Sequence, residues 1–233
     1  MGANPGDVAP PTRQAARAPR TVLFDFDGVL LRGDAFALFV RARMQRARWR
    51  LLLGMLLGVP LLPTLPFTRR WVVRAFVTAT LACQSERRYR QLARDFGGEL
   101  ARQPRRFHRD ALTRLRQHQA EGDRVLVVTG CEEHLVRGIF DSLGLVDMEI
   151  LASRLKPGLL GMRVSLHNVG RRKLESLRAH GVEAPWDVAY GDSVHDLAML
   201  REAREAVLVN ASPARGKRFE QVLGRALTRV HWY

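Results

Sequence analysis

Short apolar runs alternate with helix-period stretches from residue 21 to about residue 211. The first run is Thr21-Val-Leu-Phe24, and it stops at two aspartates one residue apart, Asp25 and Asp27, followed by Gly28. That pattern predicts a buried strand ending at the carboxylates. Arg124-Val-Leu-Val-Val-Thr129-Gly130 predicts a second strand after the turn Gly122-Asp123. Met148 to Ala152 predicts a third, with Gly161 to Ser165 as part of a hairpin beside it. Trp186 to Gly191 and Ala206 to Asn210 predict two more. Helices are predicted after the cap residue Asp34, from Ser85 to about Gln103, from Pro104 to about Gln119, from about Glu132 to Leu143, from Gly170 onward, and in a basic stretch after Asn210. Strands alternating with helices imply an α/β fold, a parallel sheet with helices on both faces. Ligands bind such sheets outside the carboxyl ends of the strands. Asp25, Thr129 and Asp192 each fall at such an end.

One stretch breaks the alternation. Leu51 to Thr68 carries no charge, with arginines at 41, 43, 46, 48 and 50 before it and at 69, 70 and 74 after it. Its length reaches the lower limit for a bilayer span, but Pro60, Pro63 and Pro66 break a continuous helix. Asp25 lies before it, and Thr129, Lys173 and Asp192 lie after it. If these meet in one site, both ends are on one side and a single crossing is excluded. Folded at the prolines, each arm is about 13 Å of helix, close to one leaflet of a ~30 Å hydrocarbon core. A re-entrant hairpin or an interfacial helix fits, with arginines at headgroup level. Gly54 and Gly58 would let the arms pack closely. The alternative is that the segment is simply the core of a soluble helical unit.

Composition adds a charge of +15, carried almost wholly by arginine, since Lys156, Lys173 and Lys217 are the only lysines. A guanidinium surplus favours phosphate-bearing partners such as anionic lipid, phosphoesters or nucleic acid. Two cysteines, Cys83 and Cys131, make neither a disulfide framework nor a zinc site, so a reducing compartment is expected. Residues 1–20, rich in Pro, Ala and Arg with no apolar core, read as a flexible tail rather than a signal peptide.

The candidate chemistry sits at the strand ends. On a strand, Asp25 and Asp27 point the same way. Two carboxylates that close call for a cation, and oxygen ligands suit a hard one. D-F-D-G alone would equally suit a polar turn. It is followed, in order, by V-V-T-G at Thr129, G-R-R-K at Lys173 and Y-G-D-S-V-H-D spanning Asp192 and Asp196. Together these four pieces resemble the haloacid dehalogenase superfamily of phosphatases, over roughly four fifths of the chain.

The resemblance implies a Rossmann-like catalytic core at 21–32 and 121–233, and an all-helical cap at 33–120 of the kind found in phosphoserine phosphatases. It implies that Asp25 is the nucleophile and Asp27 the general acid and base. Mg2+ would be held by Asp25, Asp27 (through its carbonyl), Asp192 and Asp196, the last directly or through water. Thr129 and Gly130 would bind the substrate phosphate, and Lys173 would place positive charge there. Plainer readings stand beside these: Lys173 as a solvated helix residue, Asp196 as a helix cap, Thr129 as a strand end. His195 and the Cys131 thiol are assigned no role. Val29 departs from the Thr or Ser usual in the superfamily. Asp34 falls where phosphoserine phosphatases often carry an amine-sensing Glu, and equally reads as a helix N-cap.

The uncharged, proline-broken cap segment, Asp34, the Ser85-Glu pair and Ile150-Leu-Ala-Ser are similar to the phosphatidylglycerophosphatase C family. That likeness implies an anionic phospholipid substrate and a membrane surface at the cytoplasmic face of a bacterial inner membrane. A small phosphomonoester handled in the cytoplasm is the alternative. A basic module without activity is the third reading, and the complete set of acids argues against it. No nucleic-acid partner is expected.

Overall fold

The computed structural model describes residues 17–47, 49, 52, 55, 56, 77–159 and 161–233. Its centre is a seven-stranded sheet in the order β4-β3-β2-β1-β5-β6-β7. The strands are β1 (Thr21–Phe24), β2 (Arg124–Glu132), β3 (Glu149–Gly158), β4 (Gly161–Leu166), β5 (Trp186–Gly191), β6 (Ala203–Val209) and β7 (Thr228–Val230). All neighbouring pairs are parallel except β3 with β4. Strand β1 lies between β2 and β5. The chain leaves it to one side and returns on the other, which opens a crevice at its carboxyl end.

Period-two alternation sorts the strand residues into two cores. Val22, Phe24, Val125, Val127, Val188 and Tyr190 face one layer. Leu23, Leu126, Val128, Ala189 and Leu208 face the other. Burial on both faces explains why β1 and β2 read as unbroken apolar runs. Phe24 stacks on Tyr190 with ring centroids 4.3 Å apart, which ties β1 to β5 just before the site. Below that pair a polar network closes the amino ends: His118 meets Asp123 at 2.8 Å and the Tyr190 hydroxyl at 3.0 Å. Arg20 and Arg17 cover Asp123 and Glu121, so this second acidic group is already neutralised by protein cations.

The helices are α1 (Ala35–Arg46), α2 (Glu86–Ala101), α3 (Arg109–Ala120), α4 (Glu133–Ser142), α5 (Arg171–Ala179), α6 (Leu197–Arg201) and α7 (Pro213–Leu223). Asp34 and Ser85 cap α1 and α2, accepting from the Ala37 and Arg88 amides. Helix α2 lies directly on α4: a Cβ on Gly138 would be 2.4 Å from the Arg94 carbonyl oxygen, so only glycine permits this approach.

Two elements differ from the expected pattern. The helix predicted over 104–119 is a 3-10 turn, Pro104–Arg106, followed by α3. The break falls at Phe107, which bridges Leu31, while the His108 amide donates to the Leu30 carbonyl. The chain re-enters the core there, beside the point where it left. Helix α3 packs on β2. Strand β7 lies beyond the strands expected from sequence; it is short, largely exposed and, among the described residues, pairs with β6 alone. The fold class stands as expected. The uncharged segment Leu51 to Thr68 lies mostly outside the described residues, including Pro60, Pro63, Pro66, Gly54 and Gly58. So does the tail up to residue 16.

Candidate active site

Asp25 and Asp192 sit where β1 and β5 run out, Thr129 and Gly130 lie within β2, and Lys173 is on α5. Asp25 follows β1, and its amide donates to the Tyr190 carbonyl at 2.9 Å, so the β1–β5 ladder fixes its backbone. The chain then turns through Gly28 (φ +85°), where a Cβ would lie 2.3 Å from Asp192 Oδ2. The two acidic loops touch only because that position has no side chain. Asp27 Oδ1 accepts from the Ala35 amide at 2.9 Å, at the start of α1. Thr129 lies two residues beyond Val127, the partner of Phe24 on β2. Asp192 follows β5 directly.

Lys173 is the centre of the arrangement. It is 1% exposed, and its Nζ donates to Asp25 Oδ1 at 2.7 Å and to Asp196 Oδ1 at 2.5 Å. It is not a solvated helix residue. Burial alone would lower its pKa, but the carboxylates of Asp25 and Asp196 outweigh that and raise it, so it stays charged. Asp196 uses its second oxygen to accept from the amides of Asp192 and Ser193 and from the Ser193 hydroxyl. It therefore both caps the short 3-10 turn Val194–Asp196 and anchors the lysine.

Burial dominates the titration of the acids. It pushes Asp25 up to about 7, aided by Asp196 and opposed by Lys173. It pushes Asp192 up to about 6, again aided by Asp196 and opposed by Arg215. Asp27 is raised well above the carboxylate range by burial, with the Ala35 amide pulling the other way. Two carboxyls of one loop thus have different surroundings: Asp25 is ion-paired with Lys173, and Asp27 meets only a backbone amide.

Oxygens of Asp25, Asp192 and Asp196 lie within 4.8 Å of one another. Three carboxylates against one ammonium leave net negative charge in a buried pocket. That donor set fits a hard, oxygen-seeking divalent cation such as Mg2+. Since both oxygens of Asp196 are engaged by the protein, Asp25 and Asp192 are the freer of the three.

Cys131 is buried, and burial raises its thiol well above the ordinary range, which agrees with an unreactive thiol. His195 is exposed and meets the site loop through its carbonyl, which accepts from the Gly170 amide at 3.0 Å. Val29 is fully buried in the core. Three residues near the site were given no site role from sequence: Ser153, which closes the Ile150-Leu-Ala-Ser stretch, Asn168 and Glu132. Ser153 follows a buried run on β3 as Asp25 does on β1, and that shared position is the signal that could have found it.

Comparison with known proteins agrees with this geometry. The chain is 31% identical to Protein CicA of Caulobacter vibrioides over 207 residues, covering 84% of this chain and 88% of that protein. Among solved structures it is similar to a protein of unknown function from Bordetella pertussis Tohama I, with TM-score 0.65 and 20% identity, covering 90% of this chain and 98% of that one. It is also similar to a substrate-bound phosphoserine phosphatase, with TM-score 0.55 and 20% identity, covering 92% and 93%. A phosphoserine phosphohydrolase-like protein from Francisella tularensis gives TM-score 0.59 at 15% identity, covering 91% and 94%. The family model for haloacid dehalogenase-like hydrolases matches residues 22–201. That span takes in every acid gathered around Lys173 and the lysine itself, and the chain belongs to the haloacid dehalogenase-like hydrolase family.

Proposed function

We propose that the protein is a Mg2+-dependent phosphomonoester hydrolase that works through an aspartyl-phosphate on Asp25. The observation that carries this reading is the buried ammonium of Lys173, held between Asp25 and Asp196. It opposes the burial that raises the Asp25 carboxyl. An Asp25 oxygen forms a bond to phosphorus while the ester P–O bond breaks. Asp27 gives its proton to the departing alkoxide oxygen. Water then attacks the same phosphorus, Asp27 takes the water's proton, and the P–O bond to Asp25 breaks to release phosphate. The Thr129 hydroxyl, the Gly130 amide and Lys173 hold the phosphoryl oxygens while this happens. Mg2+ bound among Asp25, the Asp27 carbonyl, Asp192 and Asp196 would neutralise the negative charge of the site and substrate.

For the substrate we propose a lipid phosphate, phosphatidylglycerophosphate, met at a membrane surface. Support comes from the cap. Trp49, Leu52, Met55 and Leu56 are four apolar residues in helical conformation. They are 49%, 64%, 38% and 71% exposed. Exposed Arg41 and Arg46 precede them on α1. Exposed apolar residues beside guanidinium groups suit an anionic bilayer interface. Among the described residues no helix is long and apolar enough to cross a membrane. The exposed Asp34 at the foot of the cap favours a second reading, a small amine-bearing monoester such as phosphoserine.

The test is phosphate release with Mg2+ from phosphatidylglycerophosphate in mixed vesicles, and from phosphoserine and other soluble monoesters. The lipid is expected to be the best substrate, with Asp25→Asn inert. Fast turnover of a soluble ester with an inert lipid would overturn the lipid reading. A metal-loaded protein inert on every monoester would overturn the phosphatase reading.

A further inference from the structure

Strand β2 loses its regular register where it reaches the site. Val128 pairs with Leu151, but the next pair on β3 is Glu132 with Ser153. Four steps along β2 therefore oppose two along β3. The surplus falls on Thr129, Gly130 and Cys131, a bulge that re-aims the threonine. Bulged backbone groups lose their ladder partners and need others.

Side chains supply them. Ser153 Oγ donates to the Gly130 carbonyl at 2.7 Å and accepts from the Asn168 amide at 2.9 Å. Asn168 Nδ2 donates to the Leu151 carbonyl at 2.8 Å, and its Oδ1 accepts from Ser176 Oγ at 2.9 Å. Ser153 and Asn168 are buried. Ser176 stands three residues after Lys173 on α5.

The peptide unit that Ser153 grips is the one joining Gly130 to Cys131. Its other end, the Cys131 amide, donates to Thr129 Oγ1 at 2.9 Å. An amide N–H cannot accept, so this bond consumes an oxygen lone pair and leaves the threonine's own proton free to donate. Ser153 thus holds the peptide that orients the Thr129 hydroxyl as a donor.

We propose that Ser153 is a positioning residue for Thr129, and that Asn168 and Ser176 tie the same peptide to the helix bearing Lys173. The two groups that would meet the phosphoryl oxygens are then held as one unit. This rests on the phosphatase reading above.

A double-mutant cycle separates positioning from stability. Ser153→Ala strands the Gly130 carbonyl and the Asn168 amide. It is expected to lower kcat/KM about tenfold to a hundredfold, the scale of a misplaced catalytic group. Ser153→Thr keeps the hydroxyl and is expected to restore most of the rate. In a Thr129→Ala background, Ser153→Ala should cost far less activity than it does in wild type, while lowering the unfolding temperature equally in both backgrounds. Losses that multiply in the double variant would overturn the assignment. So would full activity in Ser153→Ala, or a stable Ser153→Thr as slow as Ser153→Ala. A wild-type protein with no Asp25-dependent phosphate release sinks the phosphatase reading itself and takes this assignment with it.

Discussion

At the scale of single residues, the site depends on one buried cation among acids. Removing the charge of Lys173 leaves Asp25 beside the like charge of Asp196 in a low-dielectric pocket, which pushes the proton affinity of Asp25 upward. The nucleophile must be ionised. Lys173→Met should therefore move the acidic limb of the kcat/KM–pH profile to higher pH, and lower the plateau by at least about a hundredfold. An unshifted limb would mean that Lys173 does not hold Asp25 ionised. Gly28→Ala probes the other contact. Its φ of +85° and the 2.3 Å clash with Asp192 should separate the two acidic loops, at about 1–3 kcal/mol of strain. Phosphate release should collapse while the circular-dichroism spectrum stays native. The acids and Lys173 were legible in the sequence because each closes an apolar run or opens a helix, in a fixed order. Ser153 and Asn168 were not. Their roles depend on a bulge, and a bulge changes register without changing the pattern of apolar residues.

At the scale of elements, the helix caps and central strands were legible, since Asp34 and Ser85 cap where a side-chain oxygen precedes a helix-period stretch. The split between the 3-10 turn and α3 was not, because it is imposed by the Phe107–Leu31 bridge and not by any local breaker. Asp34 has two readings that substitution separates. Asp34→Ala should lower stability by about 1 kcal/mol through loss of the cap, whereas Asp34→Asn keeps an accepting oxygen and should melt like wild type. Unchanged kinetics of Asp34→Asn on phosphoserine would leave capping as its whole role. Glu132 caps α4 through the Leu135 amide and is raised by burial to about 7 from 4.5. A carboxyl raised on folding stabilises fully below its unfolded pKa and loses that contribution as pH rises through the folded value. Between pH 4.5 and about 7 the wild type should therefore lose up to about 3 kcal/mol from this group. Glu132→Gln, which keeps the capping oxygen, should flatten the fall. Urea midpoints for both proteins across that window check the sign, and parallel curves would show that Glu132 is not penalised by burial.

At the scale of the whole molecule, the proposed membrane association could rest on the charge of +15 or on the exposed apolar residues. The magnitudes decide. Each arginine near an anionic surface contributes about 1 kcal/mol, and that contribution is screened as the Debye length falls from about 8 Å at 0.15 M salt to 3 Å at 1 M. Fully burying a leucine contributes about 1.5–3 kcal/mol, and simple screening does not weaken it. Leu52 and Leu56 are 64% and 71% exposed, so most of their surface is available to enter the interface. Wild type should therefore co-sediment with anionic vesicles at low salt and keep a substantial bound fraction at 1 M. Leu52→Ser with Leu56→Ser should bind at low salt, where the arginines suffice, and release at 1 M. If the double variant instead follows wild type at both salt concentrations, the leucines do not enter the bilayer. They would then belong to some other contact, and the lipid reading would rest on charge alone.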